Sequence, residues 1–283
     1  MSTDLPVVLI TGASSGIGLE TAVAAARAGS FVVATMRDTG RDAALRAAAR
    51  DAGVAERIEV RRLDVTDQDA ARECVAAVVA DHGRLDGLVN NAGAGRVGTL
   101  EIDGTAKARE VMEVNFFGAL HTTEAAMPHL RASGGRLVTV TSVGGVIGQP
   151  FNEAYCAAKF ALEGFMEALH PVAARVGVSV SVVEPGAVAS EFVRNAGAED
   201  IPARIAEAGP YAEAMQAYLD RTRKSFAAAQ SAADAGATVA ALLTGDRPAF
   251  RVQTSEAARA FISPKLADLD GGTVTGLTAG WVA

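Results

Sequence analysis

The sequence predicts an α/β fold, a single doubly wound parallel sheet of about seven strands with a helical lid, and three observations carry that expectation. Short β-rich runs alternate with alanine-rich helical stretches from the first residues onward. Several runs are apolar almost throughout, as strands must be when helices cover both faces of a sheet. A glycine-rich turn joins the first run to the first helical stretch.

In chain order, strands are expected at Val7 to Thr11, Phe31 to Thr35, Ile58 to Leu63, Gly87 to Asn90, Arg136 to Thr141, Ser179 to Glu184 and near Phe250 to Gln253. Between them Gly18 to Ala28, Asp67 to Asp81 and Ala154 to Arg175 carry helix formers with few breakers. Right-handed crossovers wind such a chain into one sheet. No linker, repeat or low-complexity stretch divides it, so residues 1–283 read as one domain. The least regular part, about 187–230, mixes Gly197, Pro202, Gly209 and Pro210 with amphipathic pieces. Long excursions after strand carboxyl ends are where α/β proteins build substrate sites and lids.

Composition excludes several classes of function. Thirty-three acidic against 26 basic residues give a net charge of −7, and no basic block exceeds Arg61-Arg62 or Arg223-Lys224, so no nucleic-acid partner is expected. Cys74, Cys156 and four scattered histidines make neither a disulfide framework nor a metal-ligand spacing, which fits a reducing, cytoplasmic setting with no metal. No apolar run reaches the roughly 18 residues of a membrane span.

The turn Thr11-Gly12-Ala13-Ser14-Ser15-Gly16-Ile17-Gly18 aims backbone N–H groups and a positive helix end at a pyrophosphate. Gly12 permits the tight turn, Gly16 close approach, and Gly18 the packing of helix on strand. At the end of the second strand stands apolar Met36 followed by Arg37, where an acid would take the ribose hydroxyls of NAD. Arg37, helped by Ser14 or Ser15, favours the 2′-phosphate of NADP(H), with NAD(H) second; Asp38 opposes this if it turns inward. Asp64 and Val65 close the third strand, where a carboxylate can accept from an adenine amino group. Asn91, Ala92 and Gly93 close the fourth, where small residues let the backbone pass close to a ribose.

The reaction end is drawn by Ser142, at the end of the fifth strand, and by Tyr155 and Lys159, one turn apart on the next helix. A cation beside a phenol lowers its pKa from about 10 by two or three units, which would make a proton donor working near neutrality. Asn115 is a polar side chain inside an apolar helical stretch.

Taken together, Thr11-Gly-x-x-x-Gly-x-Gly18, Asn90-Asn-Ala-Gly93, Asn115, Ser142, Tyr155-x-x-x-Lys159 and Pro185-Gly186 resemble the short-chain dehydrogenases/reductases over nearly the whole chain. The resemblance implies a Rossmann fold and an oxidoreductase acting on CH–OH groups. In it Tyr155 is the general acid/base, Ser142 polarises the carbonyl, Lys159 lowers the tyrosine pKa and holds the nicotinamide ribose, and Asn115 supports a proton relay through water. Pro185, Gly186 and Val188 would be cofactor-binding, Val188 holding the nicotinamide amide through its backbone, with Ser190 standing where threonine is usual.

Ala34-Thr-Met-Arg-Asp38, Ser142-Val-Gly-Gly145, Gln149-Pro-Phe-Asn152, Tyr155-Cys-Ala-Ala-Lys-Phe-Ala-Leu-Glu-Gly164 and Tyr218-Leu219 are similar to the type 1 17β-hydroxysteroid dehydrogenase branch and its retinol-dehydrogenase relatives. That implies a lipophilic alcohol or ketone as substrate, in a pocket lined by Val143, Asn152, Tyr218 and Phe226. Arg221 replaces the branch's histidine and would meet a carboxylate or another polar tail. A homodimer or homotetramer through Thr105 to Leu130 and Tyr155 to Arg175 is implied as well. Two other readings stay open at this point, a reductase of small or acyl-linked keto groups and a catalytically silent NADP-sensing regulator.

Overall fold

The structure is a computed structural model that describes residues 4–190, 201–245, 248–268 and 272–281. Its centre is a parallel sheet of seven strands: β1 (Val7–Ile10), β2 (Phe31–Met36), β3 (Ile58–Arg62), β4 (Gly87–Asn90), β5 (Arg136–Val140), β6 (Ser179–Glu184) and β9 (Arg251–Gln253). They lie in the order β3-β2-β1-β4-β5-β6-β9, so the direction of winding reverses between β1 and β4. A ligand site is expected at that reversal, outside the strand carboxyl ends. Two residues, Val188–Ala189 (β7), pair in parallel with Gln230–Ser231 (β8) apart from the main sheet, a pairing too short to show in the sequence.

Every strand expected from the sequence is present, with ends moved by at most one residue. Thr11, Leu63 and Thr141 leave the strands assigned to them, although each backbone N–H still bonds a neighbouring strand: Thr11 to Val89 O at 3.0 Å, Leu63 to Met36 O at 3.0 Å and Thr141 to Val183 O at 2.8 Å. The ladder therefore ends where the chain begins to turn into the loops of the site.

Helices α1 (Gly16–Arg27), α2 (Ala43–Asp51) and α9 (Ala232–Thr244) cover one face of the sheet, and α3 (Gln68–His82), α5 (Gly118–Ser133) and α6 (Glu153–Ala174) cover the other. Val7 and Leu9 pack with the second group, Val8 and Ile10 with the first, and all four are at most 3% exposed. This explains the continuous apolar runs, since period-two alternation with both faces buried leaves no position for a polar residue. Each such side chain contributes roughly 1.5–3 kcal/mol by leaving water.

Between α4 (Leu100–Met112) and α5 the chain makes one π turn, Glu113–Phe117, with Asn115 at its centre. Of the lid expected at 187–230, residues 191–200, Gly197 included, lie outside the described residues. The rest forms α7 (Ile201–Glu207) and α8 (Ala212–Ala227), followed later by α10 (Glu256–Ile262) and α11 (Gly272–Ala279). Met215, Tyr218 and Leu219 of α8 pack with Phe151, Ala208 and Trp281 into a third, smaller apolar cluster. Among the described residues no helix is long and apolar enough to cross a membrane.

Candidate active site

The cofactor end is built from loops that follow β1, β2, β3 and β4. Gly12 and Gly16 take positive φ of 68° and 58°, which side chains with a Cβ rarely adopt. A Cβ on Gly12 would stand 2.8 Å from the Ala92 Cα, and one on Gly18 would overlap the Asn91 side-chain amide and the Gly12 carbonyl. Asn91 is the clasp: its Nδ2 donates to the Thr11 and Gly12 carbonyls at 2.9 and 3.0 Å, while Thr11 Oγ1 accepts from the N–H groups of Asn91 and Ala92 at 3.0 Å. The loops after β1 and β4 are thus locked to each other across the point where the sheet reverses. Ser15 stands before α1 but its side chain makes no capping bond, and the first turn holds no acidic residue. That leaves the N–H groups of Gly16, Ile17 and Gly18, with Ser14 beside them, as donors fit for a diphosphate.

At the adenosine side, Met36 is 3% exposed and belongs to the core, whereas Arg37 is exposed. Asp38 accepts from Gly40 N–H at 2.9 Å and caps the following turn, so its carboxylate is engaged locally. Asp64 accepts from Thr66 at 3.1 Å (N) and 2.8 Å (Oγ1), which fixes the carboxylate beside Val65 at the end of β3. A cradle of small residues, orphan helix donors, an exposed arginine and a fixed carboxylate fits a nicotinamide dinucleotide.

Replacing Gly18 by alanine tests that cradle. The new methyl group meets a backbone carbonyl that has no rotamer to escape into, so the variant should lose about 2–3 kcal/mol of stability and bind NADPH at least tenfold more weakly. Thermal melts with and without NADPH, together with a fluorescence titration, measure both. An unchanged affinity would separate the loop from the nucleotide.

The reaction end brings Asn115, Ser142, Tyr155 and Lys159 together from three segments, the π turn, the end of β5 and α6. Ser142 Oγ accepts from Gly144 N–H at 2.9 Å and shares a hydrogen bond with the Tyr155 hydroxyl. A Cβ on Gly144 would lie 3.3 Å from both Ser142 Oγ and Tyr155 Cε1, so a side chain there would press on both groups. Lys159 is 4% exposed, donates to the Val140 carbonyl at 3.0 Å and stands 5.9 Å from the centre of the Tyr155 ring. Asn115 Nδ2 donates to the carbonyls of Ala94 and Val111 at 2.9 Å, and its Oδ1 accepts from Ala94 N–H at 3.2 Å. The π turn supplies the extra residue that lets this amide reach the loop after β4 while replacing the helix bond to Val111. A Cβ on Gly93 would press on Asn115 Oδ1 at 2.8 Å and come 3.6 Å from Lys159 Nζ, which places that loop between the two.

The expected lowering of the tyrosine pKa is not what this arrangement shows. Burial pushes the Tyr155 phenol up to about 12, against the opposing Ser142 hydrogen bond, and pushes the Lys159 ammonium down to about 8. Desolvation disfavours both charged forms, and it is the largest cause at each of the two groups. At neutral pH Tyr155 therefore holds its proton and Lys159 still holds its charge.

The pocket residues divide. Val143 is buried beside Ser142, and Tyr218, 4% exposed, hydrogen-bonds Asn152 and lies close enough to Tyr155 to oppose ionisation of its phenol. Phe226 is half-buried at the end of α8. Arg221 is exposed, and its guanidinium sits 4.1 Å from the centre of the Trp281 ring, so its contact is with the carboxyl-terminal segment. Pro185 and Val188 are buried and Gly186 half-buried on the loop after β6, where Ser190 approaches Gly16.

Sequence reasoning missed Gly144, signalled only by the Gly-Gly that follows Val143, and an ion-pair clasp under the lid. There Asp103 of α4 takes Arg96 at 2.8 Å and Arg204 of α7 at 3.0 Å, and the two guanidinium groups hold its carboxyl below the usual range despite burial. Nothing local in the sequence links Asp103 to Arg204, which lie 101 residues apart.

The chain is similar to known proteins over most of its length. Residues 6–201 match the short chain dehydrogenase family. Human retinol dehydrogenase 8 is 38% identical over 88% of this chain and 81% of its own length. Rat estradiol 17-beta-dehydrogenase 1 is 45% identical over 67% of this chain and 56% of its own length. The crystal structure of a short-chain dehydrogenase from Streptomyces avermitilis superimposes with a TM-score of 0.76 at 30% identity, over 99% of this chain and 98% of that one.

Proposed function

The chain belongs to the short-chain dehydrogenase family, and on that premise we propose that it is an NADP-dependent oxidoreductase interconverting a secondary alcohol and a ketone on a bulky lipophilic substrate of steroid or retinoid size. One observation carries the reading: the hydrogen-bonded pair Ser142 and Tyr155, backed by buried cationic Lys159, stands next to the apolar cluster of Phe151 and Tyr218. A nicotinamide dinucleotide held by the loops after β1 to β4 would supply or accept the hydride. The chain's own part is to orient the carbonyl oxygen with Ser142 and to give it the proton held by Tyr155 as negative charge develops. Lys159 keeps a positive charge behind the phenol, and Asn115 fixes the loop that passes between itself and Lys159. A phenol that stays protonated up to about 12 is suited to carbonyl reduction at neutral pH.

Against a reductase of small or acyl-linked keto groups stand the contacts that tie α7 and α8 down, Arg204 to Asp103, Tyr211 to Glu101 at 2.5 Å and Tyr218 to Asn152. Against a silent regulator stands the complete Ser142, Tyr155 and Lys159 set. A homodimer or homotetramer is part of the proposal, supported by Phe117, Phe165 and Val172, which are 43%, 41% and 64% exposed on and beside α5 and α6. The test of substrate class is turnover of ketosteroids, retinoids, aromatic ketones and short acyl ketones with NADPH. Turnover confined to the short ketones would overturn the lipophilic assignment.

Cofactor choice is tested at Arg37. Met36 is core, so an acid placed there would act through folding as much as through recognition. Arg37→Ala on the exposed position is expected to weaken NADPH about tenfold or more while leaving NADH nearly unchanged. Equal effects on the two nucleotides would remove Arg37 as selector.

A further inference from the structure

Behind Lys159 the chain buries charges that the proton-transfer step does not use. Glu163 lies one helical turn beyond Lys159 on the same face of α6 and is 5% exposed. Its carboxylate is within hydrogen-bond reach of Thr141 Oγ1, on the residue preceding Ser142, and takes Arg251 Nη2 at 3.0 Å. Glu184, 0% exposed and directly before Pro185-Gly186, takes Arg251 Nε at 2.8 Å and Gln253 Nε2 at 2.7 Å. Arg251 also reaches exposed Glu167 at 2.8 Å. The turn after Ser142 packs flush on this part of the helix, since a Cβ on Gly145 would lie 3.0 Å from Glu163 Cγ and 3.1 Å from the Lys159 carbonyl.

The charged groups facing Glu163 thus come from three elements: Lys159 and Glu167 on its own helix, Glu184 on β6 and Arg251 on β9, while Val143–Gly145 brings none. One arginine is shared among three carboxylates, two of them buried, and the nearest further cation on α6 is Lys159. Buried carboxylates that exceed their arginine partners are costly to keep unless the surplus does something.

We propose that Glu163 is a positioning residue for catalysis, supplying the counter-charge that keeps buried Lys159 cationic in the working pH range, with Glu184 and Arg251 holding its carboxylate in place. The proposal rests on the role given above to Lys159. Burial lowers the ammonium to about 8 and Glu163 is the group that raises it, so without Glu163 the ammonium would lose its proton at lower pH. Glu163 itself is raised by burial and by Glu184, and lowered by Thr141 and Arg251, so those neighbours decide how much of its charge is present at neutrality.

The chain has four lysines, Lys107, Lys159, Lys224 and Lys265, which makes the titration of Lys159 directly observable. In full-length protein carrying lysine labelled with 13C at Cε, the Lys159 signal is identified by its loss in Lys159→Arg and followed against pH. In Glu163→Gln its midpoint should fall by about one pH unit. The alkaline limb of kcat/KM for carbonyl reduction should move down with it, and Glu163→Asp should restore part of both. Thr141→Val, which keeps the carboxylate but removes its hydroxyl contact, should give a smaller shift of the same sign and serves if Glu163→Gln does not fold. An unmoved Lys159 midpoint in the folded variants would overturn the proposal whether or not a substrate is in hand. A midpoint that moves while the alkaline limb does not would overturn it too, and would place the fault in the role given to Lys159.

Discussion

Tyr155→Phe is expected to lower kcat for ketone reduction by about 10²–10⁴-fold while leaving NADPH affinity within a few-fold of wild type. The substitution removes one hydroxyl and keeps the ring. Ser142 Oγ retains the Gly144 N–H, so the stability cost should stay near 1 kcal/mol, the ordinary worth of one hydrogen bond. A loss of turnover therefore reports on proton donation and not on folding. NADPH oxidation with the best ketone of the panel, beside a nucleotide titration, checks it, and undiminished turnover would take the proton-donor role away from Tyr155. Because the phenol is pushed up to about 12, its own titration should not appear in the wild-type rate profile below pH 9 or so. The alkaline loss should appear near 8, where Lys159 gives up its proton.

Lys159→Met should separate activity from stability. Removing the cation should cost about 10²–10³ in kcat, and the variant should nevertheless melt higher than wild type at neutral pH. The ammonium is buried, donates to Val140 O, and is held below its ordinary value by burial, at about 8 against 10.5. A lysine so depressed binds fewer protons in the folded chain than in the unfolded one between those two values. Stability therefore rises with pH across that window, and the full cost of the buried charge is present below it. That cost is on the order of 3 kcal/mol, less whatever the Val140 hydrogen bond returns, so a gain of roughly 1–3 kcal/mol is expected at pH 7 and should vanish near pH 10.5. Denaturant unfolding at pH 7 and 10 measures it. A variant less stable than wild type at both pH values would mean that Glu163, left without its counter-ion, dominates the site.

Much of the fold was legible because parallel strands buried on both faces leave long apolar words such as Val7-Val8-Leu9-Ile10, and glycine-rich turns mark where they end. The residues of the site were legible as types for a related reason. A phosphate turn needs glycines at fixed spacing, and a tyrosine and lysine one turn apart share a helix face whatever the rest of the chain does. The position of Arg37 after Met36 was legible too, but not the direction of Asp38, whose carboxylate the folded chain engages with the Gly40 N–H.

What spacing could not give is anything that depends on solvent exclusion or on distant partners. Whether Lys159 lowers the Tyr155 phenol or burial raises it is a contest between a Coulomb term and desolvation, and only the packed structure sets the second. Arg221 read as a cation for a substrate tail, and nothing in its own segment announces the Trp281 ring that comes to lie 4.1 Å from it. Asp103 with Arg204, and Glu163 with Arg251, are pairs made by the return of the chain from 101 and 88 residues away, and no local pattern encodes them. The sequence by itself determined the doubly wound sheet, the glycine turn after its first strand and the placing of Tyr155 and Lys159 on one helix face, because these follow from periodicity and near-neighbour geometry, while Ser142 joined them through the family resemblance. The tertiary structure alone decided which of those groups are charged, what holds them, and where the cations outside the set point, because burial and long-range pairing exist only once the chain has closed on itself.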